Sequence, residues 1–496
     1  MKCSRREFVG SLLGATILGL IDLDLVADVL GQTVLPMRRM ATQTASAEGK
    51  WTNLTVEGRV PKEVNGTLYR TAPGQSQRFG TTLRHLFDGD AYLAGWRFDE
   101  SKVTLHTRFV PTPGRAKELE SAKMLYDDYG TLAPGARMGG KNQPSVNVIE
   151  WRGKLLGLSE GGLPTSIDPV TFDFLGYEDF QGVVPGYLTF TAHPRFDPVS
   201  GDMYAWGFEK RPPGTMHVIH VSRETGKAQT LYKLPQTGFN MVHDAVLTEN
   251  YFVVIIHPTS YDMRAIASGG AAMGEALRFA AHRPSILYAF QRRGNVETKP
   301  LSIELPPSIV YHYGNAYEPK PEHLVFEMIA YDDGAFFEFL QNWRDDRQPS
   351  YKPPRLKRLA VDLSGKTPPS ISDLAEDMEF PRFDTRLAGK KARYLYGAIR
   401  LYDRDASIAR IDLEKREKLA VKIGPNRTIA EPVFVPSTKA INEDRGWLFA
   451  QGYDVERNEN FLEIRDAQTL DFVARVWAAG QHFPLGFHGN FSPSTK

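Results

Sequence analysis

From residue 50 onward, apolar and polar side chains alternate in short runs, with Gly, Pro, Asp and Ser clustered between them. A period of two marks strands with one buried face, and the clusters mark tight turns. The pattern predicts strands over residues 66–69, 91–98, 103–110, 146–150 and 154–159. It continues through 186–191, 203–208, 216–221, 229–233, 246–247, 251–257, 286–291 and 298–305. The later runs are 323–329, 355–362, 394–397, 407–412, 418–422, 433–436, 447–453, 460–466 and 472–477. Helical character is confined to an Ala- and Gly-rich insertion at 263–281 and a shorter stretch near 116–126. There is no strict repeat, but strand pairs recur at intervals that suit propeller blades, and no composition break marks a linker. The expected fold class is all-β, a β-propeller forming one domain over residues 51–496. The insertion reads first as a helix capping the propeller, and more sharply as a lid or a membrane-touching surface.

Composition narrows the partners. The 496 residues carry 60 basic and 59 acidic side chains, the balance of a globular chain with ample core and no basic excess for nucleic acid. Cys3 is the single cysteine, so no intramolecular disulfide forms and a metal site must use His, Asp or Glu. At the N-terminus, Ser4-Arg5-Arg6-Glu7-Phe8 precedes an apolar stretch at 11–21, the arrangement of a twin-arginine export signal. The stretch is too short, and too soon interrupted by Asp22 and Asp24, to span a membrane. Residues 1–47 are therefore expected to be signal and linker, with Ala45-Ser46-Ala47 as a small-residue cleavage pattern and a periplasmic or membrane-associated product. Twin-arginine export carries folded proteins, which suits a cofactor loaded beforehand.

Of twelve histidines, four share a setting at predicted strand ends among small or aromatic neighbours. His193 lies in Thr191-Ala192-His193-Pro194-Arg195-Phe196-Asp197-Pro198, a predicted turn between the runs at 186–191 and 203–208. His243 lies in Val242-His243-Asp244, His312 in Tyr311-His312-Tyr313, and His488 in Phe487-His488-Gly489. No short two-histidine metalloprotease spacing is present. His217 and His220 are three apart on one strand and face opposite ways, and His85, His106, His257, His282, His323 and His482 read as packing or surface residues. Widely spaced residues from different blades converge on a propeller's axis. From the residues alone, four turn histidines and one metal centre both remain open.

Ordered motifs add a resemblance. Phe87-Asp88-Gly89-Asp90, Glu160-Gly161-Gly162-Leu163-Pro164, Ala192-His193-Pro194 and Val242-His243-Asp244 are followed by His312 with Asn315-Ala316-Tyr317-Glu318. Glu379-Phe380-Pro381-Arg382, Glu431-Pro432-Val433-Phe434-Val435-Pro436 and Phe487-His488-Gly489 complete the series. In this order they resemble the carotenoid cleavage oxygenase family, which includes stilbene-cleaving and retinoid-processing members. The resemblance runs from about Gly66 to Phe491. It implies a seven-bladed β-propeller with a helical cap formed by insertions. It also implies non-haem Fe(II) held by His193, His243, His312 and His488, with Glu160, Glu379 and Glu431 hydrogen-bonded to three of the ligands. Imidazole suits iron, and outer carboxylates set ring tautomers and offset its charge. No glutamate is assigned to His193, and no catalytic side chain is expected beyond the metal centre.

The implied reaction is cleavage of a conjugated C=C bond by dioxygen to two carbonyl products, with isomerisation also known in the family. The apolar alkene expected first is a carotenoid or apocarotenoid. The alternative is a stilbene, whose phenol could be met by Lys141, Tyr126 and Tyr129. The segment Asn142-Gln143-Pro144-Ser145-Val146-Asn147 departs from the family's usual alternation of small residue and Asn. A secreted propeller that binds a ligand without catalysis is the rival from another class.

Overall fold

In the computed structural model, which describes residues 37–135, 137–211, 214–236, 240–344, 351–401 and 405–494, the alternating runs become seven antiparallel sheets of four or five strands. Residues 1–36 of the predicted signal and linker at 1–47 lie outside the described residues. Each sheet is a blade whose innermost strand packs beside the innermost strands of its neighbours. In chain order these axial strands are Asn147–Trp151, Arg195–Phe196, Val246–Leu247, Ile309–Lys320, Met378–Arg382, Arg427–Pro436 and Gly489–Pro493.

Apolar clusters fill the wedges between consecutive blades. Leu68, Trp96, Phe449, Leu462 and Val476 join the last blade to the first, and Tyr204, Trp206, Phe252 and Val254 join the third to the fourth. A blade therefore buries both faces, which explains why Tyr251–Ile256 is buried at every position rather than at alternate ones. The ring is closed twice. The C-terminal strand Gly489–Pro493 supplies the innermost strand of the first blade by pairing with Gly66–Pro73. The N-terminal strand Val56–Gly58 adds to the outer edge of the last blade beside Phe472–Trp477. Residues 37–47, assigned to signal and linker by sequence, also pack on this body. Met37 and Ala41 are buried in the core, and the Ala45 amide donates to the Gly74 carbonyl at 3.0 Å.

Three expectations are corrected. The run at 186–191 is not a strand: the amides of Thr189 and Thr191 donate to Phe208 and Trp206, but Leu188 makes only one isolated bridge. His193 consequently precedes a two-residue strand, Arg195–Phe196, that lies inside the predicted turn. The helix expected over 263–281 stops after Met263–Ala267, where Gly269 takes a φ of +73°; Leu277–Phe279 then pairs back onto Thr259–Tyr261. The shorter helix is Pro113–Ser121, started by Thr112, whose side chain accepts from the Arg115 amide, and by Pro113 in the first turn. A further helix, Ala335–Gln341, had no sequence signal.

The axial strands are irregular where the chemistry sits. Pairing slips between Val310 and Tyr313, between Glu379 and Arg382, and between Ile429 and Pro432. Each slip is a bulge that re-aims nearby side chains: His312 and Glu431 lie among the unpaired residues, and Glu379, still paired with Ala398, is the last residue before its own slip.

Candidate metal centre

The four singled-out histidines meet on the axis. His193, His243 and His488 lie two, three and one residues before their axial strands, and His312 sits in the bulged part of its own. One ring nitrogen from each lies within 4.8 Å of the others. The Nε2 atoms of His193 and His243 are 3.1 Å apart, as are those of His312 and His488. His243, His312 and His488 are buried, and the rings meet edge to face, His193 standing at 89° to His488.

Three carboxylates decide which nitrogen points inward. His312 Nδ1 donates to Glu379 Oε2 at 2.7 Å, and His488 Nδ1 to Glu431 Oε1 at 2.9 Å. His243 Nδ1 lies 2.5 Å from Glu160 Oε1. With Nδ1 carrying the proton, Nε2 of each ring presents a lone pair. Two lone pairs facing at 3.1 Å repel unless a cation lies between them. A metal with nitrogen ligands at about 2.1 Å sets neighbours at right angles roughly 3 Å apart. The residues thus fit a divalent ion held by four neutral imidazoles. Burial and the neighbouring imidazoles hold His193 and His488 well below the usual imidazole range, which keeps both rings neutral. Burial lowers His243 too, but the Glu160 carboxylate outweighs it and the net shift is upward. Burial raises Glu379, yet His312, Tyr331 and the Phe380 amide bring it below its ordinary value.

The glutamates are held differently. Glu431 is enclosed by Arg382, Arg70 and the Gly489 amide, while Glu379 also accepts from the Tyr331 hydroxyl at 2.6 Å. Glu160 stands on a loop, its side chain 37% exposed. Asn142 anchors that loop: its Nδ2 donates to the Leu163 carbonyl at 2.7 Å, and its Oδ1 accepts from Ser159 at 3.1 Å. A Cβ at Gly162 would meet the Asn142 amide within 3 Å, whereas one at Gly161 meets nothing within 4 Å. Gly162 is therefore needed for close approach.

A cavity of about 1530 Å³ opens onto the centre. His243, His312 and His488 line it and His193 does not, so the cavity reaches the cluster from the side away from His193. Aromatic side chains, Phe87, Trp206, Tyr311, Phe336 and Phe380 among them, line the cavity together with aliphatic and polar ones. Lys141 lines it too, but its ammonium is buried against Asp90 and Glu118, in a network with Arg78 and Asp128. That engagement corrects the expectation of a lysine free to meet a phenol. Tyr129 reaches the cavity with its hydroxyl 3.1 Å from that of Tyr261, and Tyr126 does not line it.

The remaining histidines stay outside the centre. His217 pairs with Glu209, His220 with Asp202, and His257 with Tyr313. Sequence reasoning missed Arg70 and Tyr331, which no motif flags. Arg382 lay inside a recognised motif without an assigned role.

A model of the family described as Retinal pigment epithelial membrane protein matches residues 41–493. Apocarotenoid-15,15'-oxygenase of Synechocystis is 26% identical over 456 residues, 88% of this chain and 92% of that protein. Resveratrol cleavage oxygenase 1 of Aspergillus fumigatus is 28% identical over 475 residues, 90% of this chain and 93% of that one. The crystal structure of an ACO/RPE65 chimera superposes with a TM-score of 0.85 at 24% identity, covering 92% of this chain and 98% of its own.

Proposed function

The chain belongs to the family of the retinal pigment epithelial membrane protein and the carotenoid cleavage oxygenases, and on that premise we propose that it is an Fe(II)-dependent dioxygenase cleaving a conjugated C=C bond. The observation that carries this reading is the convergence of four imidazole Nε2 atoms, three with Nδ1 tied to carboxylates, beside a cavity with aromatic side chains in its walls. His193, His243, His312 and His488 would hold the iron, with Glu160, Glu379 and Glu431 setting three of the rings. Iron supplies the activation of dioxygen. The aromatic side chains of the cavity hold a flat polyene over the side of the cluster away from His193 and exclude water, and no side chain is required as general acid or base.

The proposed substrate is a carotenoid or apocarotenoid, whose length suits a cavity of about 1530 Å³. One observation favours a phenolic stilbene instead: the paired hydroxyls of Tyr129 and Tyr261 on the wall could receive a phenol. Anaerobic loading with Fe(II), followed by mass analysis under labelled dioxygen, tests both. With carotenoid, apocarotenal and stilbene panels, one class should yield two carbonyl products with one labelled oxygen each. Stoichiometric iron without cleavage of any panel member would instead support a binding propeller.

Helices Met37–Ala41, Met263–Ala267 and Ala335–Gln341 contribute cavity-lining residues, and we read them as the cap of the propeller. Met263 and Met273, 41% and 39% exposed, suit peripheral contact with a membrane that carries the substrate. Because residues 37–47 pack on the propeller, the export signal is proposed to end before Met37. Fractionation of cells making the full chain should recover it outside the cytoplasm, and replacement of Arg5 and Arg6 by lysine should retain it inside. Equal distribution of the two forms would refute the twin-arginine reading.

A further inference from the structure

We propose that Asn147 is the positioning residue for His193, taking the place of the carboxylate that the other three histidines have. The inference rests on the reading of the four histidines as metal ligands. Among the described residues, no side chain is hydrogen-bonded to His193 Nδ1; its ring is aimed through the backbone that carries it. Its own amide donates to Thr191 Oγ1 at 2.9 Å, and the preceding carbonyl, that of Ala192, accepts from Asn147 Nδ2 at 2.8 Å. Both bonds fall on the single Ala192–His193 peptide, and together they fix the plane from which the His193 side chain springs ahead of Pro194. Because that turn is irregular, no ladder of strand hydrogen bonds would hold it otherwise.

Asn147 is itself fully engaged. It is 7% exposed, and its Oδ1 accepts from the Val148 amide at 2.8 Å and from Asn490 Nδ2 at 3.1 Å. Asn490 Nδ2 also donates to the Val148 carbonyl at 2.8 Å, and its Oδ1 accepts from Arg382 Nη2 at 3.3 Å. Arg382 Nη2 in turn donates to Glu431 Oε2 at 3.0 Å, and Glu431 orients His488. One polar chain therefore runs from the carbonyl beside His193 to the carboxylate behind His488. It crosses the inner strands of the second, first and sixth blades before reaching the last. The amide orientation of Asn147 is fixed by this chain: only an oxygen satisfies Val148 and Asn490, and only an NH₂ satisfies Ala192.

The chemistry supplies a selective variant. Asn147→Asp keeps the acceptor for Val148 and Asn490 but sets a carboxylate oxygen, which cannot donate, against the Ala192 carbonyl. With loss of an outer-shell partner typically costing about 10–100-fold in metal affinity, N147D should bind Co(II) that much more weakly. The ligand-field absorption of its Co(II) form should also differ from wild type. In a His193→Ala background the same change should weaken affinity by less than about threefold, since the ligand it serves is gone. Asn147→Ala provides a second route where the buried carboxylate blocks folding, with the same expectations. A variant with lowered melting temperature but wild-type Co(II) affinity and spectrum would reduce Asn147 to a structural role and overturn the proposal. So would an equal loss of affinity with and without His193. A wild-type chain that takes up no divalent ion overturns the metal reading first, and this inference with it.

Discussion

His243→Ala leaves a folded propeller that no longer retains iron. His243 precedes a strand of only two residues, Val246–Leu247, so the blade's pairing does not pass through it. The carboxylate it abandons, Glu160, is 37% exposed and can be hydrated, so no charge is stranded in the core. The metal loses one of four imidazoles, a larger loss than that of an outer-shell partner, so affinity should fall by more than about 100-fold. Turnover should fall with iron content. The control is His217→Ala. His217 is as buried as His243, at 5% against 7%, and is likewise paired to a glutamate, Glu209, but it stands on a strand outside the axis. It should keep iron and activity in full. Iron and activity retained by His243→Ala would sink the ligand assignment.

This contrast also shows where the sequence was informative. Middle strands such as Met203–Phe208, Met216–Val221 and Arg355–Asp362 were legible to the residue, because they pack between neighbours on both sides and carry a sustained apolar pattern. Axial strands were not. Arg195–Phe196 has two residues, Met378–Arg382 contains a proline, and Ile309–Lys320 has three register shifts that erase any period. A blade-level repeat was present but overlooked. Asp168, Asp197 and Asp466 each accept from the amides two and three residues on. In each, the Asp amide also donates to the carbonyl of a second Asp five residues later. An Asp-x-x-x-x-Asp turn thus closes hairpins in three blades, a signal hidden by the variable residues between the aspartates. The four histidines stood out by their shared setting at strand ends, but their role, and the three glutamates, could be assigned only through the ordered set of motifs. Their supports, Arg70, Tyr331 and the Asn147 chain, depend on which blades become neighbours. That is a property of ring closure and not of local pattern.

Glu431→Gln should be severely damaging, and Glu379→Gln, one blade away, should be mild. Both carboxylates are buried and both receive a histidine Nδ1–H, so burial and ring contact do not separate them. The other neighbours do. Glu431 Oε1 faces His488 Nδ1 and Arg382 Nε, both at 2.9 Å. Its Oε2 faces Arg382 Nη2 at 3.0 Å and the Gly489 amide at 3.1 Å, with Arg70 Nη1 3.8 Å away. Apart from the His488 ring, whose tautomer can switch, every neighbour is a donor that cannot reverse, and each carboxylate oxygen faces at least one of these. An amide placed there must turn its NH₂ onto donors whichever way it flips, and two guanidinium groups lose their counter-charge. Breaking such a pair costs roughly 3–5 kcal/mol, so the apo-protein itself should be destabilised by that order in urea, before any effect on metal. Glu379 Oε2 also faces only donors, His312 Nδ1 and the Phe380 amide, but its Oε1 faces the Tyr331 hydroxyl. A hydroxyl can rotate to accept from an amide. Glu379→Gln should therefore cost no more than about 1 kcal/mol in stability, the net worth of an ordinary hydrogen bond. Its metal affinity should fall by about 10-fold, at the low end of the range for an outer-shell partner. Tyr331→Phe combined with Glu379→Gln removes that adaptable partner and should restore a penalty above 1 kcal/mol. Equal denaturation midpoints for Glu431→Gln and Glu379→Gln would show that the surrounding donors do not govern the site.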